Sequence, residues 1–150
     1  MSNAVFSPVL RPWIESVCTG LGLSESDVRR CVDSQVMVLG DVPVAFGLPA
    51  AAKDSQLIVQ AVIGQVPPPG RCEAVYELVL GAQMMMCGPI MPVIALELTT
   101  RNLLLTYTVD TAEVSTEDGA LILRSMQGMV HQWREALKDF DKLTRPPRAS

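Results

Sequence analysis

Histidine is nearly missing from this chain: His131 is the single one among 150 residues. A Ser-His-Asp set would have to use it. On a helical wheel it points away from the apolar seam of its own helix, so it reads as a solvated surface residue. Aromatic residues make up only 5%. The core must therefore be aliphatic, with eight methionines as flexible filler. Positive charge is short as well, with 12 Lys and Arg against 16 Asp and Glu and a net charge of −4. Phosphate backbones and anionic lipid surfaces need a basic face, which excludes nucleic acid and disfavours such membranes as partners. No glycine-rich phosphate loop exists, because "LGLSESD" and "TGLG" lack the required spacing. The four cysteines, Cys18, Cys31, Cys72 and Cys87, form no C-x-x-C pair, so the usual metal-ligand spacing is absent. No cofactor or metal is expected, and no enzyme. Acidic pairs such as Glu117-Asp118 suit a helix N-terminus better than acid catalysis. The start "MSNAVFSPVL" has neither a cationic lead nor an apolar run, so the expectation is a cytoplasmic protein with reduced thiols. Cys31, after Arg29-Arg30, has the one electropositive setting; Cys72 and Cys87 read as small hydrophobes.

What the chain does have is apolar surface, 49% of its residues. At this length one domain is expected, able to bury roughly 70% of its unfolded surface. From Leu78 to Leu96 there is no charge at all. That is the length of a membrane span, but Gly88-Pro89 and Pro92 interrupt it, and proline lacks the amide donor a helix interior needs. No Lys/Arg cluster flanks it. The stretch divides instead into a helix to about Cys87, a Gly-Pro turn and a strand, without membrane insertion.

The periodicities predict the remaining elements. Val9, Leu10, Trp13, Ile14, Val17 and Leu21 share one arc of a first helix, with Pro12 in its first turn and Gly20 and Gly22 as its stop. "SESDVRRC" predicts one short helical turn. "QVMVLGDVPVAFGL" reads as two strands about Gly40-Asp41, and "SQLIVQAVIG" as a third strand ended by three prolines. "PVIALEL" and "LLLTYTV" make a second hairpin, with Leu103, Leu105, Tyr107 and Val109 on one face. Ser115 caps a last amphipathic helix whose seam holds Ile122, Met126, Met129, Val130, Trp133, Leu137 and Phe140. The expected fold is α+β, helix-β-β-β-helix-β-β-helix, with a mainly antiparallel sheet, one domain over 1–141 and a disordered tail over 142–150.

The second helix is apolar nearly all round. Val75, Leu78, Val79, Ala82 and Met86 form one stripe, and Cys72, Tyr76, Leu80, Gln83, Met84 and Cys87 a neighbouring one. A helix on one sheet needs an arc of only about 100°. Each surplus Leu or Val left in water forgoes roughly 1.5–3 kcal/mol. The simplest burial is against a second copy, which predicts a homodimer through Val75, Tyr76, Val79, Leu80, Gln83 and Met84. Cover by the last helix of the same chain is the alternative.

In layout the chain resembles the class I chaperones of bacterial type III secretion. The resemblance runs from about Phe6 to Leu137 and rests on "LGL", "VIGQVP", "LVLGAQ", "GPIMPVIALEL", "RNLLLTYTV" and "SMQGMVHQWREAL" in that order. The second helix departs from the family, which usually ends it with Leu-Leu-x-x-Asn; here stands Leu80-Gly81-Ala82-Gln83. The resemblance implies a dimeric, non-enzymatic chaperone. It would hold the unfolded N-terminal segment of a secreted effector and dock at the export apparatus and its ATPase. Strand addition plus apolar pockets would supply the binding. Val36, Val38, Val44 and Phe46 on the first two strands, with Trp13 and Val17 on the first helix and Met91 beside Met84 and Met85, are the candidate effector contacts. A regulatory protein on the same scaffold that sequesters an anti-activator is a second reading. A small-ligand α+β domain is a third, disfavoured because convergent polar groups are missing.

Overall fold

The computed structural model describes residues 6–49, 53–86 and 90–144, with side chains as far as 139. Helices α1 (Leu10–Gly20) and α2 (Glu25–Ser34) precede strands β1 (Val36–Leu39), β2 (Val42–Gly47) and β3 (Gln56–Gln65). Helix α3 (Glu73–Met85), strands β4 (Val93–Leu96) and β5 (Asn102–Asp110), and helix α4 (Thr116–Thr144) follow. The sheet is antiparallel throughout, in the order β1-β2-β3-β5-β4. The α+β class and the expected order of strands and long helices hold.

One element is larger than expected. The single turn predicted after Ser24 is a ten-residue helix, α2. Ser24 caps it by accepting the Asp27 N–H at 3.2 Å. The predicted turn was too short because α2 is mostly polar: its apolar period is carried by Val28, Cys31 and Val32 alone. At the other end of the chain, α4 runs on to Thr144, past the expected boundary at 141; residues 145–150 lie outside the described ones. Cys87 and the Gly88-Pro89 turn also lie outside them.

Local chemistry explains the connections. The β1–β2 turn is Gly40-Asp41, because Leu39 pairs with Val42, and Gly40 has a φ of 62°. A two-residue hairpin favours glycine at such a first position. Ser115 Oγ accepts the Asp118 N–H at 3.1 Å and starts α4 as expected. Pro12 falls in the first turn of α1, where its missing donor costs little.

The inner face of the sheet is a continuous apolar layer. Met37 pairs with Val44, Phe46 with Val59, and Val59 with Tyr107, all buried. The period of two on β5 holds: Leu103, Leu105, Tyr107 and Val109 are all buried. Helices α1 and α4 pack together against this layer, with Trp13, Ile14, Val17, Leu123, Met126 and Val130 between them. Two glycines permit the approach. A Cβ on Gly119 would lie 2.5 Å from the Trp13 ring, and one on Gly64 2.6 Å from Leu137. Polar side chains of α4 then latch onto backbone carbonyls: Arg124 to Gly20, Gln127 to Leu39 and Arg134 to Val62, each at 3.1 Å.

Candidate protein-binding surfaces

Among the described residues, three surfaces stand out on this frame. The first is the edge and outer face of β1. Phe46 donates its N–H to the Gln35 carbonyl at 2.9 Å. Hairpin bonds alternate along a strand, so Gln35, Met37 and Leu39 face β2 while Val36 and Val38 turn their N–H and C=O to the free edge. Ser34 Oγ reaches both backbone groups of Val36, at 3.3 Å each, leaving Val38 as the open rung. The side chains of Val36 and Val38 stand on the outer face, 39% and 58% exposed. Beside them on β2 are Pro43 and Ala45, also exposed.

The second surface is the outward side of α3. Val75 and Val79 face the core and are buried. Leu80 and Met84, one turn apart, are 70% and 76% exposed. Met85 is exposed as well, on the side of the helix that borders the cleft toward α4. The predicted interface thus divides. Val75 and Val79 are corrected to core residues, because the subunit already covers them. Gln83 also works within the subunit: its side chain donates to the Pro92 carbonyl at 3.0 Å and accepts the Ile94 N–H at 2.9 Å. Ile94 and Pro92 lie on the side of β4 away from β5, so Gln83 fills part of that edge. Tyr76 is half-buried, and its hydroxyl accepts from Arg101 at 3.3 Å. Helix α4 does not blanket the outward side of α3, since Leu80 and Met84 stay exposed.

The third is a cleft of about 470 Å³ between the end of α3, the segment before β4 and the first half of α4. Met85, Met86, Met91 and Met129 line it together with Leu121 and Tyr107. Burial pushes the Tyr107 hydroxyl above its ordinary pKa. The hydroxyl donates to the Met129 sulfur at 3.9 Å. Met91 therefore sits at an open apolar site. The other effector candidates on the helix and β2 do not. Trp13, Val17, Val44 and Phe46 are buried and are corrected to core residues. On β2 the alternation puts these two side chains on the inner face, and on α1 the predicted arc is the face that meets α4. Trp13 additionally spends its indole N–H on the Val114 carbonyl, at 2.9 Å.

Among the described residues, no cluster of three or more His, Cys, Asp or Glu could hold a metal ion. His131 is exposed and lies 3.1 Å from Asp41, joining α4 to the β1–β2 turn. Among the described residues, no helix is long and apolar enough to cross a membrane. Sequence reasoning missed the bridging role of Gln83. A polar residue on an otherwise greasy stripe was the available signal.

No family model and no curated protein matches the sequence. Solved structures do match. A chain in the HopA1–SchA chaperone–effector complex superposes with a TM-score of 0.59 at 9% identity, covering 85% of this chain and 94% of that one. One in the complex of the Yersinia pestis type III secretion chaperone SycH with a stable fragment of YscM2 gives 0.53 at 16%, covering 82% and 98%. One in the ExsC–ExsE complex gives 0.58 at 13%, covering 84% and 91%. With coverage this complete on both sides, the chain has the fold found in complexes of type III secretion chaperones.

Proposed function

We propose that this chain is a bacterial, cytoplasmic class I type III secretion chaperone, not an enzyme. It binds the unfolded N-terminal segment of a secreted effector and keeps it soluble and competent for export. The observation that carries the reading is the open rung of β1. Val38 offers an unpaired N–H and C=O beside the exposed apolar side chains of Val36, Val38 and Pro43. An extended segment laid along this edge gains backbone bonds from the rung and apolar contact from every second side chain. The methionine-lined cleft suits a segment of varied sequence, because unbranched thioethers repack at low cost. The exposed Leu80 and Met84 support a homodimer through α3, with Tyr76 at its margin.

The test is co-expression of the chain with the first hundred or so residues of candidate effectors encoded beside it. Co-purification of a soluble complex supports the reading. Val38→Pro removes the donor of the open rung at an edge position where proline is tolerated. It should weaken capture without unfolding the chain. Capture unchanged by Val38→Pro would rule out binding at this edge.

A further inference from the structure

Methionine is unevenly spread through this chain. Among the described methionines, Met37 and Met126 are buried in the core. The others, Met84, Met85, Met86, Met91 and Met129, gather around the end of α3. Met85, Met86, Met91 and Met129 line the cleft of about 470 Å³ against α4. Met85 is 77% exposed and the other three are half-buried, so solvent reaches the site. Among the described residues, the cleft lining has no cysteine and no histidine. The thioethers are therefore its peroxide-sensitive groups.

The chemistry at each sulfur is a two-electron oxidation. With hydrogen peroxide, a sulfur lone pair attacks one peroxide oxygen and the O–O bond breaks. An S=O bond forms, and the displaced hydroxide takes the remaining proton and leaves as water. The sulfur loses two electrons and the peroxide gains them. The product is a polar, chiral sulfoxide in place of a flexible apolar thioether, a change that disrupts methionine-rich interfaces. One donor already waits for the new oxygen. The Tyr107 hydroxyl, at the cleft wall, donates to the Met129 sulfur at 3.9 Å, and an oxygen added to that sulfur can accept from it.

We propose that Met85, Met86, Met91 and Met129 form a modification site, at which peroxides switch the cleft wall from apolar to polar. Methionine sulfoxide reductases reverse the step, one enzyme for each epimer. A segment seated in the cleft shields the sulfurs, so an empty subunit is oxidised and a loaded one is spared. This last consequence rests on the cleft being a client contact; the oxidation itself does not.

The test treats the reduced, full-length chain with hydrogen peroxide and follows each methionine by peptide mass spectrometry. The four cleft methionines should gain oxygen about tenfold faster than Met37 and Met126, with circular dichroism unchanged. Anilinonaphthalene sulfonate, a fluorescent probe of apolar clefts, should bind about tenfold more weakly after oxidation and recover after treatment with both reductases. The variant Met85→Leu/Met86→Leu/Met91→Leu/Met129→Leu conserves volume and removes the four sulfurs, so its dye binding should not respond to peroxide. Equal oxidation of core and cleft methionines, unfolding on oxidation, no dye response in the parent, or the same response in the Leu variant overturns the site. Should the Leu variant fail to fold, the parent decides alone: dye binding that stays weak once the reductases have restored the four thioethers overturns it equally. An untreated chain that captures no effector segment would count against the client reading alone, because neither readout uses a client.

Discussion

Gln83 of α3 accepts the amide hydrogen of Ile94 at 2.9 Å, so a helix side chain completes the edge of β4. The same amide group donates to Pro92 at 3.0 Å. Replacing it by an apolar group strands both backbone atoms. Gln83→Leu should cost about 1–3 kcal/mol in urea unfolding, the range for losing partners of part-buried polar groups. Gln83→Glu keeps the acceptor and loses the donor, so its loss should fall between. Equal stability of all three would show that the bridge contributes nothing.

Two glycines of α4 should respond in opposite directions. Gly119→Ala drives a methyl into the Trp13 ring, since the new Cβ would sit 2.5 Å from it. Overpacking of this kind costs about 1–3 kcal/mol. Gly128→Ala meets nothing within 4 Å. It should stabilise by about 0.5–1 kcal/mol through helix propensity alone. Thermal or urea melts of the pair check both signs.

Adjacent positions on α3 should also separate. Leu80→Asp places charge on an exposed site, so the chain should stay folded and any dimer should dissociate in light scattering. Val79→Asp places charge in the core and should unfold the subunit. A Leu80→Asp protein of unchanged dimer mass would exclude α3 as the contact.

Acid should weaken one turn at the end of β5. Asp110 is held below its ordinary pKa of 3.8, chiefly by the Ser55 side chain and next by the Ala112 N–H at 3.0 Å, with Lys53 adding attraction. The folded state favours the carboxylate. Its contribution is therefore complete above the unfolded value and is lost as pH falls through the depressed one. Asp110→Asn should be less stable than the parent at neutral pH and equal to it in strong acid. Carboxyl-carbon NMR across the same range reads the depressed titration directly.

Much of the fold was legible in residue order. The alternation on β5 and the Gly40-Asp41 turn are local patterns, and the structure keeps both. Helix α2 was underread because only Val28, Cys31 and Val32 carry its apolar period in an otherwise polar segment. The site residues fared differently for a physical reason. Periodicity tells which residues share a face and not which face stays open. Trp13, Val17, Val44 and Phe46 were correctly grouped as apolar stripes, yet only the arrangement of α1 and α4 over the sheet decides that those stripes are covered. Val36 and Val38 escape because the alternation of β1 turns their side chains to the outer face, and the edge position of β1 leaves their backbone outward. On α3 the surplus of apolar residues was real, but part of it is absorbed by β4 through Gln83, which no wheel diagram displays.

The strand order β1-β2-β3-β5-β4 sets β3 beside β5 although residues 66–101 intervene between them. Of those residues, β4 is the edge strand of the sheet and α3 bridges to it through Gln83. Loosening these two elements breaks no bond of the β3–β5 ladder. In native-state hydrogen exchange their amides should open at lower free energy than those of the central pair. A partner that displaces or reorders them would therefore meet a yielding border around a closed middle, and the chain could accommodate it without global unfolding.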